Sequence, residues 1–590
     1  MTSRISVTAI LMIGALLTAR PYSMAGQNDD RTGAQKSDQR GASITGRVVN
    51  DSGQPMPNAP VYVSGLGRPP ERRSTNTDEN GQFRVDNLPR QPYSVSAQVR
   101  GYVRDTYEST FYKPGDSVSL VLKKGGVITG TVTNSAGEPV IGVLVSAIPI
   151  RDLEGSPLRS PLAGAPRYTD DRGVYRLFAL PKGIYLVTTG SKLSAFSRQA
   201  AFLDDIPTYY PSATRDSAGE LLVNSGAEVT GIDIRYRGEH GYTISGSITG
   251  SAAKGSPRMN VDVILRRASS DLLEAQTFSQ PKGNDQSFTL HGVPEGDYYL
   301  IARRRPFESD DGASSRPVSM KLKNHDATGI EVSLTPLGSA AGRIVLEPTI
   351  AKDKAGCEGN RPASPPGSIA EVIVSLRSDQ KPPSYGLSES VPVAPDDKGE
   401  FLIQGLDPGQ YRVETGMLDE SWYVRTITMP GITRATTTVD AGTNGFPIKA
   451  GQRAGGLTVT LAEGAASLRG RVIPEKDGAT LPERLRVHLI PAETELADNT
   501  LRFAETAVQG DGKFKFNNLA PGRYRLLTSR ASVEEAGERA PRPIAWKSSS
   551  RASLRRDGEA SNITLDLKPC QRITDYKLRY APAKAQATNQ

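Results

Sequence analysis

The phrase "FLIQGLDPGQY", running from Phe401 to Tyr411, recurs in edited form five times, which limits the chain to folds built from tandem copies of one module. The other copies are "FRVDNLPRQPY" from Phe83, "YRLFALPKGIY" from Tyr175, "FTLHGVPEGDY" from Phe288 and "FKFNNLAPGRY" from Phe514. Five positions after each opening aromatic stands an aliphatic residue: Leu88, Leu180, Val293, Leu406 or Leu519. Ten positions after it stands a tyrosine: Tyr93, Tyr185, Tyr298, Tyr411 or Tyr524. Side chains alternate at the start of the phrase, so Phe401 and Ile403 face one way and Leu402 and Gln404 the other, as in a strand. Pro408 and Gly409 then reverse the chain, Pro by fixing φ and Gly by tolerating positive φ. Upstream, Asp78-Glu79-Asn80-Gly81, Asp171-Arg172-Gly173, Asp397-Lys398-Gly399 and Asp511-Gly512 read as a second turn. The third copy has Gln286 where that glycine would stand, so a different turn is expected there.

Each phrase has a leader and a trailer. The leaders share Gly46, Gly130, Gly246, Gly342 and Gly470, as in "ITGRVVNDSGQPMPNAPVYV" and "ITGTVTNSAGEPVIGVLVSA". The trailers "SVSLVL", "GIDIRY", "GIEVSL", "GLTVTL" and "NITLDL" alternate like strands. Leader glycines lie 84, 116, 96 and 128 residues apart, too far for solenoid repeats, which recur at roughly 20–50 residues. The expected fold is therefore all-β, a tandem array of about five small antiparallel β-sandwich domains of transthyretin-like or Ig-like type. The expected division is a signal peptide over 1–25, a disordered start over 26–41, and sandwiches over 42–124, 125–238, 239–336, 337–463 and 464–580. A disordered tail over 581–590 completes it. Unequal spacing puts insertions in loops after Ala351, between Ser191 and Ala218, and after Val533.

The chain opens with Arg4, an apolar run from Ile5 to Leu17 and the small-x-small stretch Ser23-Met24-Ala25, the pattern of a secretory signal peptide. The expected location is periplasmic, cell-surface or extracellular, with no transmembrane span in the mature chain. Formal charge is +8, and removal of Arg4 and Arg20 with the leader lowers it to +6. Basic residues are interspersed with acidic ones and no reader motif is present, so no nucleic-acid partner is expected; weak attraction to anionic glycans or lipid surfaces stays open. Cys357 and Cys570 are the two cysteines, and in an oxidising compartment they are a possible disulfide.

The leader "ITGRVVNDSGQPMPNAPVYV" followed by "TDENGQFRVDNLPRQPYSVSA" resembles the carboxypeptidase regulatory-like module, a transthyretin-like (prealbumin-like) sandwich with a carbohydrate-binding-like fold. The second copy is similarly close, and copies three to five keep the phrase but lose parts of the leader. The resemblance covers most of residues 42 to 569. It implies a module that accompanies a catalytic domain in metallocarboxypeptidases without being catalytic, and that bacteria use in envelope proteins. Related surface modules carry Lys–Asn cross-links, but here Arg47, Thr131, Ser247, Arg343 and Arg471 stand on the leaders where a repeated lysine would be sought.

No catalytic constellation is proposed by the residues. The four histidines, His240, His291, His325 and His488, fall outside any H-x-x-E or H-E-x-x-H pattern, and no G-x-S-x-G or Walker loop occurs. No cofactor and no metal are expected; the turn acids of "TDENG" and "PDDKG" are turn formers before they are calcium ligands. The repeat positions Phe83, Tyr93, Tyr175, Tyr185, Phe288, Tyr298, Phe401, Tyr411, Phe514 and Tyr524 are expected to pack. Candidate ligand-binding aromatics lie outside the phrase: Tyr209, Tyr210, Trp422, Tyr423 and Trp546. The competing reading, that they cover contacts between repeats or cap cores, is favoured by the burial tendency of aromatics. The function expected is a non-enzymatic binding or scaffolding protein of the cell envelope, with an unknown envelope protein or polysaccharide as partner. The alternatives are a carbohydrate-binding protein using the loop aromatics and a peptidase-associated protein lacking its own catalytic domain.

Overall fold

In each copy the phrase strand lies beside its leader strand, and the opening aromatic falls directly opposite the leader glycine: Phe83 on Gly46, Tyr175 on Gly130, Phe288 on Gly246, Phe401 on Gly342 and Phe514 on Gly470. The computed structural model describes residues 4–5, 42–104, 109–153, 158, 163–190, 192, 200–250, 260–282, 285–307, 310–347, 369–379, 391–431, 438–474, 479–531 and 543–580. The rest of the expected signal peptide, the stretch 26–41, the tail 581–590 and the insertion after Ala351 lie outside these residues.

The described residues form a tandem array of five β-sandwiches, each around its own hydrophobic cluster. In the first, one sheet runs in the order Gln82–Leu88, Ala42–Asn50, Ser117–Lys124, Tyr102–Val103. The facing sheet contains, in order, Arg72–Asn76, Pro60–Gly65, Tyr93–Ala97 and Ser109–Tyr112. The pattern recurs with edits. In the third sandwich the short strand Ala313–Ser315 bridges the two sheets into one nine-stranded sheet.

Every sandwich also contains one parallel pairing. The leader Ala42–Asn50 runs parallel to Ser117–Lys124, Tyr242–Thr249 to Ala327–Pro336, and Gly338–Glu347 to Arg453–Glu463. In the second sandwich the partner is split into Glu228–Val229 and Ile234–Arg235. In the fifth the partner is Arg572–Arg579. This corrects the expectation that "NITLDL" is the closing strand: Thr564–Leu567 instead pairs antiparallel with Gly522–Arg530 in the opposite sheet. The helix Ser548–Ser561, in a stretch expected to be loop, precedes it and buries Arg551, Leu554 and Gly558.

The leader glycines are required by close approach. A Cβ on Gly46 would lie 2.3 Å from the Val118 carbonyl oxygen and 2.6 Å from the Phe83 ring. On Gly342 it would lie 2.6 Å from both the Leu457 carbonyl and the Phe401 ring, and on Gly470 2.2 Å from the Tyr576 carbonyl and 2.8 Å from Phe514. The absent side chain thus leaves room for a ring on one side and the parallel strand on the other. Where the second copy has tyrosine instead of phenylalanine, the Tyr175 hydroxyl finds a partner by donating to the Ile232 carbonyl at 2.5 Å.

The phrase tyrosines are at most 1% exposed, and each hydroxyl donates to the carbonyl four residues upstream. Tyr93 donates to Pro89 at 2.9 Å, Tyr185 to Pro181 at 2.5 Å, Tyr298 to Pro294 at 2.8 Å, Tyr411 to Asp407 at 2.9 Å and Tyr524 to Ala520 at 2.7 Å. A buried ring thereby ties the turn to the strand that follows it while its polar end stays satisfied. Burial pushes the Tyr93 and Tyr524 phenols up to about 12. One further device was not anticipated. The residue before each phrase aliphatic is left-handed: Asn87 (φ 57°), Ala179 (φ 57°), Gly292 (φ 65°), Gly405 (φ 76°) and Asn518 (φ 55°). There the leader–phrase register slips by a bulge, which turns the aliphatic residue into the core. In the third copy Gln286 is a buried strand residue opposite Pro281, so the strand continues where the other copies turn.

Two stability outcomes follow from these contacts. Gly342→Ala should destabilise the fourth sandwich by about 1–3 kcal/mol, the range for forcing extra volume into a packed site, as read by urea denaturation. Ala179→Gly should have the opposite sign, because it removes left-handed strain of roughly 1 kcal/mol from a residue with a Cβ; a lower midpoint for that variant would refute the strain account.

Candidate functional site

The aromatics singled out as ligand candidates lie largely in the seams between sandwiches. Tyr209 is 4% exposed and packs with Ile148 and Leu186, with Leu273 of the next sandwich against them. Beside this cluster Arg215 donates to the Leu273 carbonyl at 2.7 Å and lies 3.6 Å from the buried Glu274 carboxylate, which also accepts from Arg267 at 2.6 Å. Tyr210 is half-buried against the second core. Tyr209, buried, offers no open ring face for stacking on a sugar.

The other three candidates lie beside the junction of the fourth and fifth sandwiches. Trp422 is 8% exposed in the fourth core, and its carbonyl accepts from Asn518 at 2.8 Å. Tyr423 is half-buried opposite Ala462. Trp546, on the fifth sandwich, holds its ring 5.4 Å from the Arg412 guanidinium of the fourth. That guanidinium also donates to Asp379 at 2.8 Å, to the Thr443 carbonyl at 2.5 Å and to the Trp546 carbonyl at 3.3 Å. Thr500 donates to the Gly442 carbonyl at 2.7 Å across the same seam. A second clamp is ionic: Glu420 accepts from Asn517 at 3.1 Å and lies 3.5 Å from Lys515, 3.6 Å from Arg469 and 4.0 Å from Arg572.

The unshared positions of the fourth phrase serve other seams. Arg303 of the third sandwich donates to Asp407 at 2.9 Å and to the Gly405 carbonyl at 2.7 Å. Gln404 accepts from Arg68 of the first sandwich at 2.6 Å, and the Ala394 amide donates to the Leu66 carbonyl at 3.0 Å. The array therefore curves far enough for its first member to touch its fourth.

Among the described residues no group of three or more His, Cys, Asp or Glu side chains is placed to hold a metal ion. The turn acids are occupied by backbone amides. Asp78 accepts from Asn80 and Gln82, Asp170 from Arg172 and Val174, and Asp396 from Lys398 and Glu400. In the second and fourth copies the accepting residue is one position before the Asp-x-Gly run read from the sequence. His240 pairs with Asp205 at 2.9 Å and His291 with Asp204 at 3.0 Å, both at the seam of the second and third sandwiches. Cys570 is disulfide-bonded, and the chain's other cysteine, Cys357, lies outside the described residues. No helix among the described residues is long and apolar enough to cross a membrane. A shallow cavity of about 700 Å³ opens on the first sandwich, lined by Thr45, Arg47, Gln82, Arg84, Ser117 and Ser119 among others. Its hydroxyl, amide, guanidinium and Asp78 carboxylate groups suit a polar ligand, and sequence reasoning did not find it because most of its lining residues are ordinary strand residues and Asp78 reads as a turn former.

Removing the Arg412 guanidinium should loosen the last seam. Arg412→Ala is expected to cost about 2–3 kcal/mol, the scale for losing hydrogen bonds to a charged group, with a red shift of tryptophan emission as Trp546 gains water. A pH dependence is expected from His488, which is 2% exposed with Nε2 2.8 Å from the Ser529 hydroxyl. Burial, and then the Arg486 charge, push its pKa from 6.5 down to about 4. Glu505, 3.6 Å from Nδ1, is shared with Arg486 and does not reverse that direction. The stabilising contribution is thus complete above about 6.5 and is lost as pH falls toward about 4, because the unfolded chain binds the proton first. The melting temperature should fall across that window and fall less steeply in His488→Asn.

A search of curated proteins returns no match. Among solved structures, the TIE protein of Bacillus anthracis aligns at 16% identity over 50% of each chain, with a TM-score of 0.14. The minor pilin of Streptococcus agalactiae aligns at 13% identity over 34% of this chain and 98% of its own, with a TM-score of 0.20. A single B repeat unit of the collagen-binding surface protein of Staphylococcus aureus aligns at 12% identity over 27% of this chain and 90% of its own, with a TM-score of 0.12. Likenesses this loose carry no argument about function. The specific match is local: residues 43–123, the first sandwich, match the family model of the carboxypeptidase regulatory-like domain.

Proposed function

We propose that this chain is an exported, non-enzymatic scaffolding or binding protein of the cell envelope, composed of units over 42–124, 125–238, 239–336, 337–463 and 464–580. The observation that carries this reading is the use of the chain's buried polar and aromatic side chains. Arg215–Glu274–Arg267, Arg303–Asp407 and Arg412–Trp546 all join one sandwich to another instead of converging on a reacting centre. Such seams hold outer surfaces at fixed mutual positions, which is what a scaffold needs and a string of independent modules lacks. The amino-terminal signal pattern supports export, and pairing of Cys357 with Cys570 would suit an oxidising compartment.

Capture of partners from an envelope extract by the purified mature chain tests the reading directly. A reproducible envelope protein or polysaccharide is the expected result, whereas zinc-dependent peptide hydrolysis by the chain alone would sink it. Thiol titration of the denatured, unreduced chain should find no free thiol, and two after reduction.

A carbohydrate-binding reading is favoured by one observation, the polar cavity on the first sandwich. Arg47→Ala and Arg84→Ala, rather than changes at the seam aromatics, should weaken binding on a glycan array if that reading holds.

A further inference from the structure

The same three-strand position can be compared across all five sandwiches: in four of them the residue after the leader glycine has a register partner on both sides, and in the second the parallel partner strand is split at that point. In the first, Arg47 lies between Gln82 and Ser119. In the second, Thr131 lies beside Val174 and donates to Asp233. Ser247 lies between Ser287 and Glu331 in the third, and Arg343 between Glu400 and Thr458 in the fourth. In the fifth, Arg471 lies between Lys513 and Lys577, three cations in one row. Arg579 stands two residues further along the same face, opposite Ile473.

The row is exposed at all three positions. Adjacent strands lie about 4.8 Å apart, so three positive side chains rise from roughly 10 Å of sheet, and like charges directly opposite each other are destabilising. The four other sandwiches show that the fold does not require this. Neutralisation is incomplete. Lys513 pairs with Asp511 at 2.6 Å and the same carboxylate also feels Arg471, but among the described residues no carboxylate lies within 4.0 Å of the cationic groups of Arg471, Lys577 or Arg579, so one acid is shared by a row of cations. Asp575, on the same strand as Lys577, is exposed and makes no ion pair with a described residue. The neighbouring cations Lys515 and Arg469 are different, since Glu420 of the fourth sandwich serves both.

We infer that the outer face of the fifth sandwich, centred on Arg471, Lys513, Lys577 and Arg579, binds a linear acidic polysaccharide bearing carboxylates on successive sugars. A guanidinium binds a carboxylate in a two-pronged hydrogen bond and ammonium groups add point charges, so a row at strand spacing matches a chain with regularly placed anions. The face has no aromatic side chain for stacking nucleic-acid bases and no exposed apolar side chain for entering a bilayer. This inference goes beyond the scaffold reading and names a ligand that could hold such a scaffold in place. It does not depend on what the extract experiment captures.

The test uses the purified mature chain with polygalacturonate, neutral dextran, phosphatidylglycerol vesicles and duplex DNA as separate probes. Polygalacturonate should bind, dextran should not, and affinity should fall with added salt. Lys577→Glu should weaken polygalacturonate binding by roughly tenfold, the effect of reversing one close charge contact, and should also raise the melting temperature by relieving the repulsion from Arg471. Lys398→Glu, an equal change of net charge on an exposed turn of the fourth sandwich, should leave binding unchanged. Equal weakening by both variants would show non-specific attraction and overturn the assignment. Binding to vesicles or DNA without binding to polygalacturonate would overturn it as well, as would Lys577→Glu that melts higher but binds as before.

Discussion

The contact on which each sandwich depends is the one between a leader glycine and the ring opposite it. A side chain at Gly46, Gly342 or Gly470 would collide with both the ring and the carbonyl of the parallel strand. Its absence brings three strands into register at the point where the phrase begins. From there the other devices follow in order along the chain: the bulge that turns the aliphatic residue inward, the turn, and the tyrosine whose hydroxyl fastens that turn from below. No one of these is large by itself. They are consistent with one another, which makes the same arrangement recoverable five times from sequences that otherwise differ.

That economy explains what the sequence revealed and what it hid. Phe401, Leu406 and Tyr411 were legible as packing positions because they recur at fixed spacing. The left-handed residue before the aliphatic was not, because Asn, Ala and Gly satisfy it in different copies and no single residue type marks it. The helix Ser548–Ser561 was hidden for a related reason: its sequence, SSSRASLRRDGEAS, is mostly polar, and it buries little besides Arg551, Leu554 and Gly558. The closing strand Arg572–Arg579 was missed in favour of "NITLDL", since its exposed charges obscure an apolar alternation that only Leu578 completes as a buried residue. Seams were the least legible feature. They are made by positions the copies do not share, such as Gln404, Asp407 and Arg412.

The candidate site changed character for the same reason. Tyr209, Trp422 and Trp546 stood out in the sequence because aromatics outside a repeat look available. Their surroundings show Tyr209 and Trp546 packed at seams with neighbouring sandwiches and Trp422 within the fourth core, and at the last seam the flat Trp546 ring and Arg412 make a durable joint. The features that remain open to solvent are polar and charged instead: the cavity beside Arg47 and the cationic row around Arg471. Both occur on strands, at positions the fold leaves free to vary.

The parallel pairing of the first and last strands has a consequence beyond stability. Two neighbouring strands that run in the same direction put the entry of a sandwich at one end and its exit at the other, and in the first, third and fourth copies the exit strand passes within one or two residues into the next leader. Tension applied along the chain therefore pulls these two strands past each other lengthwise. Such a load is carried by all the hydrogen bonds of the ladder together, eight residue pairs in the fourth sandwich, and not by one pair at a time as in a peeling hairpin. The topology that strings the sandwiches together also makes each of them resistant to being pulled apart.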